Sequence, residues 1–171
     1  LPISDYLSFL QKICVDALII SDPGVFLLAR EFAPNVDIHI STQANVTSWS
    51  AVDFWYKLGA KRIILARELG IKEIAEIKKK VPKVELEMFV HGAMCMSYSG
   101  RCLISAFLNN RSANRGLCTQ PCRWEYNLVE KSRPGEFFKI EEDERGSHFF
   151  NSKDLNLIQR SLDNFENVLV S

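Results

Sequence analysis

The sequence predicts a parallel α/β fold, and three features of its first half carry that prediction. Short β-rich runs at 17–20, 37–40, 62–66 and 85–90 begin about 20 to 25 residues apart, which is the repeat of strand, helix and parallel strand. The stretches between them place apolar residues at helical spacing. The boundaries are punctuated to match: Pro23 lies just inside a helix start behind Ser21 and Asp22, Gly59 just past a helix end, and Pro82 closes the helix that carries Ile74 and Ile77. On that last helix Glu76 and Lys80 are one turn apart and are expected to pair on the wet face.

With 171 residues, 47% of them hydrophobic, the chain is long enough to bury a real core. Its 21 basic and 21 acidic residues cancel, so any attraction to an anionic partner must be local. No apolar stretch approaches the roughly 20 residues of a membrane span, and LPISDYLSFLQK lacks the form of a signal peptide. No membrane association and a cytoplasmic location are expected. The start on Leu1 and the apolar run at 168–170 suggest a fragment of a longer chain. In a reducing compartment the five cysteines read as ligands, nucleophiles or buried groups rather than disulfides. Cys14 shares a helical face with Tyr6, Leu10 and Ile13, and is expected to be a small core residue.

In parallel α/β folds functional residues gather at the carboxyl ends of strands. Here those ends are Ser21-Asp22, residues 41–45, Arg67-Glu68 and His91-Gly92, all polar and expected along one rim. Asp22, Gln43, Asn45, Arg67 and Glu68 are therefore candidate substrate-binding residues. Asp22 and Thr42 equally suit a plain capping role. After His91 the rhythm breaks. A short helix is expected at 102–108, then antiparallel runs at 124–129, 137–140 and 148–150 with the acidic stretch 141–146 as a hairpin turn. Ser152-Lys153-Asp154-Leu155 reads as a helix start, and 167–170 as a return to the parallel sheet. The organisation that follows is 1–92 for the βα units, 93–123 for a site segment, 124–152 for the antiparallel excursion and 153–171 for the return.

The site segment holds Cys95, Cys102, Cys118 and Cys122, spaced C-x6-C-x15-C-x3-C. Four thiolates so close suffice to close a metal or cluster site. The spacing lacks the C-x2-C knuckles of common zinc ribbons and the ferredoxin runs, so zinc, an iron–sulfur cluster, a redox pair and unligated thiols all stay open. Among the cysteines stand Arg101, Arg111, Arg115 and Arg123, with Asn110, Asn114 and Trp124. Such guanidinium forks offset thiolate charge or hold a phosphate or carboxylate. The plainer alternative is that they pair with Glu87, Glu125 or Glu130.

The run 87–105, EMFVHGAMCMSYSGRCLIS, resembles over its full length the signature of peptidase family U32, the collagenase-like peptidases. The resemblance extends to Asn114-Arg115-Gly116, residues 120–124, residues 133–136 and residues 151–155, and backward to residues 21–24 and 41–45. It covers nearly the whole chain. It implies a partial (β/α) TIM-type barrel with parallel strands, carrying a cysteine-rich insertion and a short antiparallel β excursion. This chain corresponds to a middle portion lacking the family's usual first and last strands, so its open edges are expected to pair with a second copy in a homo-oligomer. Family members are described as peptidases and as proteins that hydroxylate RNA bases or quinone precursors without molecular oxygen. The latter carry a 4Fe-4S cluster. Carried over, Cys95, Cys102 and Cys118 are the implied cluster ligands. Cys122 is taken as the fourth, because Asn156 stands where some members place a cysteine.

The residues weigh these chemistries differently. A peptidase needs an activated nucleophile or metal-bound water with a base in reach. The sequence has no H-E-x-x-H and no G-x-S-x-G, which leaves a cysteine paired with His91. Hydroxylation uses all four cysteines, with His91, Arg101 and Arg115 as candidate catalytic residues. Gln43, Asn45, Arg123 and Trp124 then orient a phosphate or stack a base of an RNA substrate. The variants of the motif favour hydroxylation of tRNA wobble uridine. A structural zinc site on the same cysteines, with no catalysis, is the third reading.

Overall fold

The computed structural model describes residues 2–93, 95, 97–98, 101–129, 131–139, 154–156 and 168–170. The chain divides into two compact units, Leu1–His91 with Asn156–Ser171, and Gly92–Leu155. The first unit is a parallel sheet, β1 (Ala17–Ile20), β2 (Asp37–Ile40), β3 (Arg62–Ile64), β4 (Glu85–Met88) and β9 (Val168–Val170), in that spatial order. Helices α1 (Ile3–Lys12), α2 (Pro23–Phe32), α3 (Trp49–Lys57) and α4 (Ile71–Lys80) alternate with the first four strands. Strands β1 and β2 have the predicted bounds. β3 and β4 are shorter than predicted; past Ile64 the Leu65 N–H still donates to the Glu87 carbonyl, and the Ala66 N–H then turns to the Val46 carbonyl. The return to the sheet lies at Val168–Val170, paired with β4.

Because side chains alternate across a strand, register divides the sheet into two unlike faces. Ile20, Ile40, Ile63 and Leu86 lie side by side across β1 to β4. They form one buried cluster with Leu7, Phe26, Val52, Ile74 and Ile77 of the helices. The opposite face places Ile19, His39, Arg62 and Glu85 in one row. There Arg62 donates to Glu85 through Nε and Nη2 at 3.0 and 2.8 Å, and its Nη1 lies 3.5 Å from Glu87.

His39 sits in this row, and burial first, then the Arg62 guanidinium, holds it below its ordinary value of 6.5, against the pull of Glu85, Asp37 and Glu87. The unfolded chain therefore takes the proton more readily than the folded one. This contribution to stability is intact above about pH 6.5 and is lost as pH falls through the folded value. The urea midpoint is expected to fall between about pH 7.5 and 5.5, and to fall less in His39→Gln. Glu76, held low by its bond to Lys80, acts only below its ordinary 4.5, outside this window.

The helix ends follow the sequence signals. Asp22 caps α2 by accepting from the Val25 N–H at 2.9 Å, with Pro23 at the first helical position. Gly59 has φ +101 just past α3, a conformation that a side chain would strain. Glu76 and Lys80 meet at 2.8 Å. Cys14 departs from its expected place in the core. It is exposed, with φ 55, because α1 ends at Lys12 and Cys14 takes the left-handed turn beyond it. The buried residue of α1 is Leu7, whereas Tyr6 and Ile13 are exposed.

At the boundary of the second unit β5 (His91–Ala93) pairs with β8 (Asp154–Asn156), and within that unit β6 (Asn127–Leu128) runs antiparallel to β7 (Phe138–Lys139). Within the expected antiparallel excursion the described residues form this one short pair, and the short helix of the site segment is α5 (Ile104–Asn109), displaced toward the carboxyl end from 102–108. The expected helix start at Asp154-Leu155 is instead a strand, because pairing with β5 overrides the local capping pattern. The runs 141–146 and 148–150 lie outside the described residues.

Candidate functional site

The carboxyl ends of β1 to β3 meet on one rim because the strands are parallel and in register. The Ser41 N–H donates to the Ile20 carbonyl at 2.9 Å, extending the ladder past β2. Ser41 then accepts from the Gln43 N–H and starts a 3-10 turn, Thr42–Ala44. Thr42 is not the cap; its hydroxyl donates to the Leu65 carbonyl at 3.2 Å and ties this turn to the end of β3. The turn closes on Asn45, whose φ is 55 and whose Oδ1 is buried without a hydrogen-bond partner among the described residues. Next along the rim, the Arg67 guanidinium lies 4.1 Å over the Phe89 ring, a cation–π contact that holds it in place. Glu68 is exposed, Gln43 is half-buried, and His91 is exposed as the first residue of β5.

Gln43, Asn45, Arg67 and Glu68 therefore come to one sheet edge, with one acceptor, Asn45 Oδ1, unmatched. A buried acceptor without a donor carries a desolvation cost. Asp22 shares the edge, but its Oδ1 is engaged as a cap.

The second unit holds the cysteines. Cys95 is half-buried, its sulfur 3.9 Å from the Ser97 hydroxyl. Cys102 is half-buried two residues before α5. Cys118 is exposed and accepts from the Gln120 N–H at 3.3 Å. Cys122 is half-buried in the 3-10 turn Pro121–Arg123, which packs on α5. Two polar ties fix this segment. Buried Ser105 accepts from the Thr119 N–H at 3.1 Å, and Asn109 Nδ2 donates to the Thr119 hydroxyl at 2.7 Å. The Tyr126 hydroxyl donates to the Pro121 carbonyl at 2.7 Å, and burial, then Cys122, pushes that phenol up.

Thiols that form no disulfide have the donor chemistry for a metal centre. Their placement does not complete one: among the described residues no three His, Cys, Asp or Glu come together to hold a metal ion. Arg101, Arg111 and Arg115 are exposed and make no ion pair among the described residues. Glu87 pairs with Arg62 rather than with any of them. Arg123 is half-buried, and Trp124 is exposed and stacked on Tyr126.

Sequence reasoning did not single out Ser105, Thr119 or Tyr126, which fix the cysteine segment, nor the row His39, Arg62 and Glu85. The row was legible in the alternation Asp-Ile-His-Ile and Glu-Leu-Glu-Met. The ties through Thr119 and Tyr126 leave no such pattern.

Among the described residues no helix is long and apolar enough to cross a membrane. Of curated proteins, tRNA hydroxylation protein P of Haemophilus influenzae is 44% identical, with 84% of this chain and 40% of the relative covered. Its namesake in Helicobacter pylori (strain J99) is 45% identical, covering 91% and 37%. A protein named Collagenase, from Porphyromonas gingivalis, is 35% identical, covering 86% and 36%. The solved structure of the U32 peptidase Mk0906 aligns with a TM-score of 0.49 at 23% identity, covering 82% of this chain and 55% of that one. The chain thus spans about two fifths of the length of the first curated relatives it matches, 40% and 37%. The family model described as peptidase family U32 matches residues 2–167, nearly end to end, and by that match the chain belongs to peptidase family U32.

Proposed function

We propose that this chain is part of a cytoplasmic protein that takes part in hydroxylating tRNA, with wobble uridine as the target. The observation that carries this reading is the 44% and 45% identity, over 84% and 91% of this chain, to relatives named tRNA hydroxylation protein P. That identity exceeds the 35% to the relative named Collagenase, so peptidase activity is the second reading.

Two finer statements belong with it. The sheet is read as part of a (β/α) barrel. Support comes from the order β1-β2-β3-β4 without reversal and from helices that share a cluster with a single sheet face. Right-handed crossovers wound in one direction put all helices outside and leave the row His39, Arg62 and Glu85 on the inner wall. Further strands, of the same polypeptide or of a second copy, then pair with β1 and β9.

The cofactor is read as a 4Fe-4S cluster on Cys95, Cys102, Cys118 and Cys122, with zinc as the alternative. This requires the segment to draw together beyond the arrangement described above, as metal-coupled folding does. When bound, such a cluster supplies one-electron transfer.

Deleting the gene for the full-length protein and digesting total tRNA for nucleoside mass spectrometry tests the function. The expected result is loss of hydroxylated uridine, regained on complementation. Unchanged hydroxyuridine, together with casein or gelatin digestion by the purified protein, selects the peptidase reading instead.

A further inference from the structure

The geometry points to a binding surface for unpaired RNA on the second unit, with an apolar groove beside α5 and the Trp124 face receiving bases and flanking arginines receiving phosphates. This deepens the tRNA reading and rests on it. The groove encloses about 400 Å³ and is lined by Leu103, Ile104, Phe107, Leu108 and Tyr126. Its apolar side chains are unusually open: Phe107 is 88% exposed and Leu103 72%. Burying them is favourable, so the groove calls for an occupant.

The charge of the segment that carries the groove identifies what kind. Between residues 101 and 126 there are four arginines and one acidic residue, Glu125, a local net of +3 in a chain whose total is zero. Arg111 stands at the end of α5, its N–H donating to the Ser105 carbonyl at 3.3 Å. Arg123 belongs to the turn that packs on α5, and Arg101 precedes Leu103 by two residues. A neutral membrane or an uncharged protein helix matches the apolar lining without explaining the guanidinium excess. A nucleotide strand matches both, because each unit joins a flat apolar face to an anionic phosphate.

Trp124 adds a stacking platform that is already built. It lies parallel to Tyr126, centroids 6.5 Å apart at 22°, while 47% of it stays exposed. Tyr126, anchored through its hydroxyl to Pro121, both backs Trp124 and lines the groove. A base laid on the open face of Trp124 continues that stack. Only unpaired bases offer a free face, so single strands are preferred over duplex.

Fluorescence anisotropy of the full-length protein with labelled oligouridylate, about a dozen nucleotides long to span a usual single-strand site, and with a duplex of equal length tests this. Single-strand binding is expected to exceed duplex binding. Phe107→Ala and Trp124→Ala are each expected to weaken it about tenfold, the size of one base–aromatic stack. The variant Arg111→Gln with Arg115→Gln is expected to lower the salt slope by about 0.7 for each phosphate that is no longer neutralised. All these side chains are exposed, so urea midpoints serve as the check that the variants fold. Equal affinity for duplex, or single-strand affinity unchanged in Phe107→Ala and Trp124→Ala, overturns the proposal. So does self-association that Phe107→Ala disperses while RNA affinity stays the same, which assigns the groove to protein docking. Binding is read apart from modification. If gene deletion leaves hydroxyuridine intact while Phe107-dependent RNA binding persists, the function falls and the surface stands; the reverse pattern removes only the surface.

Discussion

Leu86→Ala is expected to lower the unfolding free energy by about 2–5 kcal/mol. Leu86 is 0% exposed and lies in register between Ile63 of β3 and Val168 of β9. It joins the one cluster that fastens the helices to the sheet. Truncation removes the transfer energy of the deleted carbons and leaves a cavity between strands whose ladder bonds prevent collapse. Since domains of this size hold on the order of 5–15 kcal/mol, the variant loses a large part of its margin. Urea unfolding reads this as a lower midpoint at unchanged slope. Leu27→Ala is the matched control. Leu27 is 62% exposed on α2, and its change is expected to stay within about 0.5 kcal/mol. Equal losses at the two positions would contradict the assignment of the buried face.

The contrast between Leu86 and Leu27 also shows how much of the fold was legible in the sequence. Period and punctuation located β1, β2 and the cap at Asp22 because these depend on local chemistry: alternation, a fixed proline φ, a carboxylate accepting from an N–H. They failed where tertiary context decides. Cys14 has an apolar residue's pattern, but α1 stops two residues earlier and the side chain reaches solvent. Asp154-Leu155 has a helix-start pattern, but β5 offers a strand partner. At the site, the polar strand ends were legible, whereas the use of Arg67 on Phe89 and of Thr42 on Leu65 depends on neighbours more than twenty residues away. The cysteine spacing named donors without showing what gathers them, since a ligand cage is a property of the bound centre as much as of the chain.

Cys102→Ala in the full-length protein is therefore expected to remove bound iron and sulfide and to abolish hydroxyuridine in complemented cells. Cys95→Ala and Cys118→Ala are expected to do the same. A thiolate ligand has no substitute in an alanine methyl, and a cluster missing one of its cysteines is exposed to loss. Cys14→Ser is the internal control, for Cys14 is exposed in a turn at the far end of α1, and both readouts are expected to stay at wild-type levels. Cys122→Ala decides the fourth position. Loss equal to that of Cys102→Ala makes Cys122 a ligand. Retention of iron with reduced hydroxyuridine instead gives Cys122 a local role through the turn Pro121–Arg123 and its neighbour Tyr126. Anaerobic preparations measured for iron, sulfide and zinc separate the two metal readings. A brown protein with matched iron and sulfide supports the cluster, whereas a colourless protein holding stoichiometric zinc, lost together with fold stability in Cys102→Ala, makes the centre structural and moves the chemistry elsewhere in the protein.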